Sequence, residues 1–211
     1  MRLKNIPGAN EYVNNSNYVV LEPQNYKSKW KSVFENNHPI HIEIGMGRGD
    51  FIINMALQHP EINYIGIEIY DSVIYKAIKK LESFDNIVSN LRIIRMDATN
   101  IENVFYKEIS RIYLNFSDPW PKARHEKRRL TSQEFLSRYE NIFCDEKQIF
   151  QKTDNLALFE FSIQSLSNSG YKLKNVTYDL YSNMIEDNVA TEYEKKFVKN
   201  GTLINRLEAY K

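Results

Sequence analysis

The sequence predicts an α/β protein with a doubly wound, mostly parallel sheet and an antiparallel strand pair at one edge. Three observations carry that expectation. Short runs rich in Ile, Tyr and Phe end repeatedly in Gly, Asp or Ser. Segments with apolar residues three to four apart lie between them. After the last such helix come two further strand-like runs with no helical crossover between them, which favours an antiparallel pair.

The elements follow in order. Residues 1–25 are polar and weakly patterned and read as an N-terminal arm, a loosely packed extension of a single domain spanning 26–211. Strand-type runs fall at Ile40–Ile44, Tyr64–Ile69, Leu91–Arg95, Arg111–Phe116 and Gln148–Thr153, and the edge pair at Tyr171–Tyr181 and Ile204–Tyr210. A helix is expected from about Asp50. Another is expected over Asp71–Phe84, with Val73, Ile74, Ala77, Ile78, Leu81 and Phe84 on one face. Asn155–Leu166 repeats the pattern with Leu156, Phe159, Ile163 and Leu166. Thr131–Phe143 opens on Thr131 with Glu134 three residues later, a capping-box signature.

Composition removes several classes of function. The 211 residues suffice for one full-sized domain and are too few for two. The single cysteine, Cys144, can form no internal disulfide or cysteine-based metal site and is expected as a small buried hydrophobe. His38, His41, His59 and His125 show no ligand spacing, so no metal is expected. No apolar run approaches the roughly 20 residues of a membrane span. The N-terminus has no apolar signal core, so a cytoplasmic protein is expected. Lys plus Arg number 28 against 27 Asp plus Glu, a formal net charge of +1, which taken alone argues against a nucleic-acid partner.

Three of the seven glycines, Gly45, Gly47 and Gly49, fall within Glu43–Asp50, after the first strand and before a helix. In a doubly wound sheet that loop lies at the ligand-binding edge. The dinucleotide fingerprint requires a further glycine where Asp50 stands, and an acid there would repel a pyrophosphate. No Gly-Lys-Ser/Thr follows, so a P-loop also fails. What remains is a nucleoside ligand without phosphate, and S-adenosylmethionine, with its sulfonium and ammonium, is one. Acids end three successive strands. Glu43 suits the methionine end, Glu68 the ribose hydroxyls and Asp97 the adenine amino group. Glycine loop and acids together point to a class I methyltransferase with a Rossmann-like fold.

The fourth strand runs into Asp118-Pro119-Trp120-Pro121-Lys122, a stiff loop where a substrate would meet the methyl group. From Lys122 to Arg129 five basic residues face one acid, a local charge of +4, suited to phosphate.

These residues resemble the bacterial tRNA (guanine-N7-)-methyltransferases. The resemblance rests on Phe116–Lys122, Arg124-His125 and Lys127–Leu130. It continues through Thr153-Asp154-Asn155 with Leu158-Phe159-Glu160, and Thr191–Glu194 with Lys196-Phe197. It covers about residues 40 to 205; the first ~30 match only loosely beyond the basic start Met1–Lys4. It implies methylation of the variable-loop guanosine of tRNA, position 46. It further implies cofactor contacts at Glu43, Glu68, Asp97 and Asp118, and substrate contacts at Lys122, Asp154, Thr191, Glu192, Tyr193 and Glu194. RNA contacts are implied at Arg124, His125, Lys127, Arg128 and Arg129. Asp154 also stands where it could cap the helix beginning at Asn155. Asp118 is the expected catalytic carboxylate, accepting from guanine N1–H and N2–H while Trp120 or a neighbouring ring stacks on the base. Both monomer and homodimer are compatible with such a chain. Three rival readings remain at this point. They are a methyltransferase for exocyclic amines, which would carry Asn/Asp-Pro-Pro-Tyr/Phe; a non-catalytic RNA-binding scaffold; and a small-molecule methyltransferase.

Overall fold

A computed structural model describes residues 6–183 and 188–211. Seven strands form one sheet: β1 (Ile40–Ile44), β2 (Asn63–Glu68), β3 (Leu91–Arg95), β4 (Ile109–Asn115), β5 (Phe143–Thr153), β6 (Lys172–Thr177) and β7 (Asn205–Tyr210). Their order is β3-β2-β1-β4-β5-β7-β6. The first five are parallel, and β7 inserts between β5 and β6, antiparallel to both. This is the predicted doubly wound sheet with its antiparallel edge. The order reverses next to β1, so the switch point lies between β1 and β4, where such sheets bind ligands.

The helices among the described residues are α1 (Ala9–Asn14), α2 (Trp30–Phe34), α3 (Asp50–Gln58), α4 (Asp71–Leu81), α5 (Ile101–Val104), α6 (Gln133–Ile142), α7 (Leu156–Asn168) and α8 (Glu192–Val198). Apolar side chains fill both faces of the sheet. One core gathers Trp30, Ile42, Ile112, Tyr139 and Phe159; the other gathers Phe51, Ile52, Ile74, Ile78 and Tyr113. β1 is buried along its whole length, as a central parallel strand must be. Trp30 is fully buried, and its indole N–H donates to the Val104 carbonyl at 2.9 Å, so the ring brings no unsatisfied polar atom into the core. No described helix is long and apolar enough to cross a membrane.

Several expectations are corrected. The arm is not loosely packed from Ile6 onward. α1 lies against α4, with Val13 in the second core and Asn10 bonded to Asp71, and Val19 bridges to Ile93 at the sheet edge. The basic start Met1–Lys4 lies outside the described residues. The capping box expected at Thr131 does not form. Ser132 caps α6 by accepting from the Phe135 N–H, and Thr131 instead bonds the Ser162 hydroxyl at 2.7 Å inside the core. The Asp71 helix stops at Leu81, leaving Phe84 exposed. Cys144 is half-buried on β5, with Sγ 3.4 Å from the Ser110 hydroxyl.

Candidate functional site

The carboxyl ends of β1, β2 and β4 meet at the switch point. Glu43, next to last in β1, is buried, because the strand that carries it is covered on both faces. Its Oε1 accepts from Asn115 Nδ2 at 2.8 Å, while its Oε2 has no partner among the described residues. Burial pushes this carboxyl up to about 8, against the opposing effects of the Asn115 hydrogen bond and the nearby Lys152 charge. A buried carboxyl with one unpartnered oxygen fits a ligand that brings a cationic donor.

The loop after Glu43 turns through left-handed backbone at Gly45 and Gly47, with φ of 76° and 57°. A Cβ at either position would meet nothing within 4 Å, so it is backbone conformation that requires glycine, and the space before the loop is open. Gly49, the third member of the set, differs. A Cβ there would press Ile53 at 3.0 Å and Ala77 at 3.2 Å, so helix packing as well as its left-handed φ of 77° requires glycine. Asp50 opens α3 and pairs with Lys80 at 2.5 Å.

Glu68 folds back on the same loop, accepting from the N–H groups of Gly47 (3.1 Å), Ile69 (2.8 Å) and Tyr70 (3.3 Å). Burial raises its pKa despite these three donors, and the Asp118 charge adds to the rise. Asp118 follows the end of β4 by three residues, at the same carboxyl edge of the sheet. Asp97 is exposed and caps the short turn Ala98–Asn100 by accepting from Thr99 N–H at 2.8 Å.

The segment after β4 is strained. Phe116 and Trp120 have φ of 52° and 42°, values that cost a bulky L-residue about 1–2 kcal/mol each. The Trp120 ring is engaged on the protein itself. Its centroid lies 5.6 Å from that of His125, edge to face, and the Arg128 guanidinium sits 4.9 Å over it. The basic run forms a short helical turn, Ala123–Arg128, on which Lys122, Arg124, Lys127 and Arg128 are exposed. Arg129 is turned inward, with its side chain 13% exposed. It donates from Nε to the Pro119 carbonyl at 3.2 Å and from Nη2 to the Trp120 carbonyl at 3.2 Å. That placement sets it apart from the exposed Arg128 beside it.

The Thr191–Glu194 segment carries a capping box. The Thr191 side chain accepts from Glu194 N–H, and the Glu194 carboxylate returns to Thr191 N–H, opening α8. Glu194 is fully buried and binds Lys152 Nζ at 2.6 Å, with further donors from Tyr181 and Asn188. It ties α8 to the end of β5 through that pair. Glu192 pairs with Arg48 of the glycine loop at 2.8 Å. Tyr193 is 44% exposed. Its ring stands 5.0 Å from that of Phe116 and is stacked at 4.0 Å on Phe197, with its hydroxyl 3.5 Å from Asp154. Asp154 does not cap α7: Asn155 does, accepting from Leu158 N–H at 2.8 Å.

Sequence reasoning missed Lys152 and Asn115. Nothing in the polar-rich run of β5 marked the first. Nothing in spacing marked the second.

The comparisons with known proteins agree in kind. Residues 37–207 match a family model described as "Putative methyltransferase". A tRNA (guanine-N(7)-)-methyltransferase of Lachnoclostridium phytofermentans is 52% identical, covering 100% of this chain and 99% of the relative. One of Lysinibacillus sphaericus is 51% identical, covering 99% and 97%. Among solved structures, an antibiotic-related methyltransferase aligns with a TM-score of 0.66 at 18% identity, over 87% of this chain and 92% of its own. A 16S rRNA (adenine(1408)-N(1))-methyltransferase from Catenulisporales acidiphilia aligns at 0.60 and 12% identity, over 90% and 93%. At such identities these two bear on the fold alone.

Proposed function

The chain belongs to the tRNA (guanine-N(7)-)-methyltransferase family, and from that premise we propose that it transfers a methyl group from S-adenosylmethionine to N7 of the variable-loop guanosine of tRNA, position 46. The observation that carries the reading is the meeting of three features at one sheet edge. These are the half-satisfied Glu43 carboxyl, the glycine loop held by Glu68, and Asp118 with a basic turn directly behind it.

When bound, S-adenosylmethionine supplies an electrophilic methyl carbon on a sulfonium. Glu43 is the group to hold its ammonium. Gly45 and Gly47 leave room for it in front of the loop, Glu68 faces the ribose hydroxyls, and Asp97 faces the adenine amino group. Guanine N7 has an exposed lone pair and is neutral near pH 7, so no general base is needed and catalysis rests on positioning. Methylation leaves the purine positive. A carboxylate at its Watson–Crick edge stabilises that charge as it develops, and Asp118 takes this part by accepting from N1–H and N2–H.

The ring that supports the base is Tyr193. Trp120 is occupied by His125 and Arg128, whereas Tyr193 is exposed, backed by Phe197 and flanked by Phe116, two residues before Asp118. Stacking of this kind contributes about 1–3 kcal/mol per base. Asp154, beside the Tyr193 hydroxyl, accepts from the same base in this reading. The exposed Lys122, Arg124, Lys127 and Arg128 hold the backbone while the base is swung out, which costs a few kcal/mol. Thr191, Glu192 and Glu194 set the position of α8 and with it Tyr193.

The test is to incubate the protein with unmodified tRNA and methyl-labelled S-adenosylmethionine, digest to nucleosides and identify the labelled one. 7-Methylguanosine is expected. A labelled adenosine, or no label in RNA, overturns the reading.

A further inference from the structure

Arg128 and Arg129 are neighbours in the basic run, and the fold sends them opposite ways. Arg128 is exposed, its guanidinium 4.9 Å over the Trp120 ring. Arg129 is half-buried behind the loop, its guanidinium 4.4 Å over the Phe161 ring of α7 and 3.9 Å from the Glu126 carboxylate. From there its Nε donates to the carbonyl of Pro119 (3.2 Å), with a longer approach to Trp120 (3.4 Å), and its Nη2 donates to the carbonyl of Trp120 (3.2 Å).

Those two carbonyls belong to the peptide groups on either side of Trp120. Fixing both planes fixes the φ and ψ between them, and this residue has the left-handed φ of 42°. Beyond the contacts of the Trp120 ring with His125 and Arg128, the loop has few backbone groups of its own to hold it. Pro119 and Pro121 carry no N–H, so within Asp118–Pro121 only Asp118 and Trp120 have a backbone donor. Left unsupported, Trp120 would relax toward negative φ, swinging Pro119 and Asp118 away from the ends of β1 and β2.

We propose that Arg129 is a positioning residue for methyl transfer: its guanidinium grips the peptide groups flanking Trp120 and so holds Asp118 at the cofactor edge, while Arg128 is left to the RNA phosphates. The planar fork of the guanidinium spans two carbonyls while stacking on Phe161, a combination that a lysine ammonium cannot reproduce. This role rests on Asp118 being the guanine-facing carboxylate. The loop geometry itself is readable without any activity.

The experiment compares Arg129→Ala, Arg129→Lys and Arg128→Ala in the full chain. For Arg129→Ala, kcat at saturating tRNA is expected to fall about 100-fold, the size of effect that a shift of about 1 Å produces. Its salt dependence of tRNA binding is expected to stay that of the wild type. Arg128→Ala is expected to lower the steepness of that salt dependence by about one. Arg129→Lys is expected to recover only part of the lost turnover, and millimolar guanidinium to raise the turnover of Arg129→Ala. Acrylamide quenching reads the loop directly, because the only other tryptophan, Trp30, is fully buried and gives a constant background. Quenching of Trp120 should rise in both Arg129 variants, whichever nucleoside the enzyme methylates.

The proposal is overturned if Arg129→Ala keeps its kcat and loses salt-dependent affinity as Arg128→Ala does. It is also overturned if Trp120 is quenched equally in wild type and Arg129→Lys. If the alanine variant does not fold, the lysine variant decides by the same two readouts. A failure to form 7-methylguanosine in the wild type strikes the functional reading and leaves the quenching result standing on its own.

Discussion

The loops after β1 and β4 sit side by side at one sheet edge, and both run through left-handed backbone. The first does so at Gly45 and Gly47, the second at Phe116 and Trp120. A glycine reaches that region without strain and leaves empty space before it, which suits a surface that a small ligand must approach closely. The second loop needs large rings where it turns. Phe116 flanks Tyr193, and Trp120 carries His125 and Arg128. It keeps its side chains and is held in place from outside by Arg129 and by two prolines. The first loop is shaped by what is missing, the second by what grips it.

The largest expected effect separates binding from chemistry. Asp118→Ala should lower kcat by about 100- to 1,000-fold, as removal of a group stabilising developing charge does. S-adenosylmethionine affinity, measured by calorimetry, should change only a few-fold, because Glu43 and the glycine loop are untouched. Near-normal turnover by this variant would remove Asp118 from its role.

An exchange across the two loops comes next. Gly47→Ala should cost about 1–2 kcal/mol of stability through its left-handed φ and weaken S-adenosylmethionine binding about tenfold. Trp120→Gly relieves the same kind of strain. Its unfolding free energy, from denaturant titration, should stay within about 1 kcal/mol of wild type while turnover falls. Equal losses of stability in both variants would mean that the two loops do not differ as described.

How far the sequence reached follows the same division. β1, the glycine loop and its acids were legible because their reasons are local: a strand, a turn needing glycine, an acid at each strand end. The capping boxes show the limit. Thr131 and Glu134 carry the signature and form no box, because the core draws the Thr131 hydroxyl to Ser162 and Ser132 takes over the cap. Thr191 and Glu194 do form one, in a segment read only for substrate. The turn of Arg129 toward Trp120 and the buried Lys152–Glu194 pair were illegible, since each joins residues that only the folded chain brings together. Arg128 and Arg129 look alike in sequence because a charge run does not reveal which side chains point inward.

An effect read against pH rather than from turnover concerns the proton on Glu43. Its carboxyl is pushed up to about 8 in the folded protein from an ordinary value of 4.5. Between those values the folded chain keeps a proton that the unfolded chain has released. Glu43 therefore contributes most below about pH 4.5, and that contribution is lost as pH rises through about 8, at a slope of order 1 kcal/mol per pH unit. Denaturant titrations across that window should show the slope in wild type and lose it in Glu43→Gln. If the ammonium of S-adenosylmethionine meets this carboxyl, calorimetry in buffers of different ionisation enthalpy should also detect proton release on binding near pH 7. An identical pH dependence in Glu43→Gln would place the titration elsewhere.

The most direct measurement locates the product within the RNA. Unmodified tRNA is treated with the protein and S-adenosylmethionine, reduced with borohydride and cleaved with aniline, which cuts the chain where a 7-methylguanosine stood. A single cut in the variable loop, absent when Asp118→Ala replaces the wild type, is the expected result. Cuts at other guanosines, or no cut despite methyl incorporation, would contradict the assignment of this sheet edge to the N7 of one variable-loop guanosine.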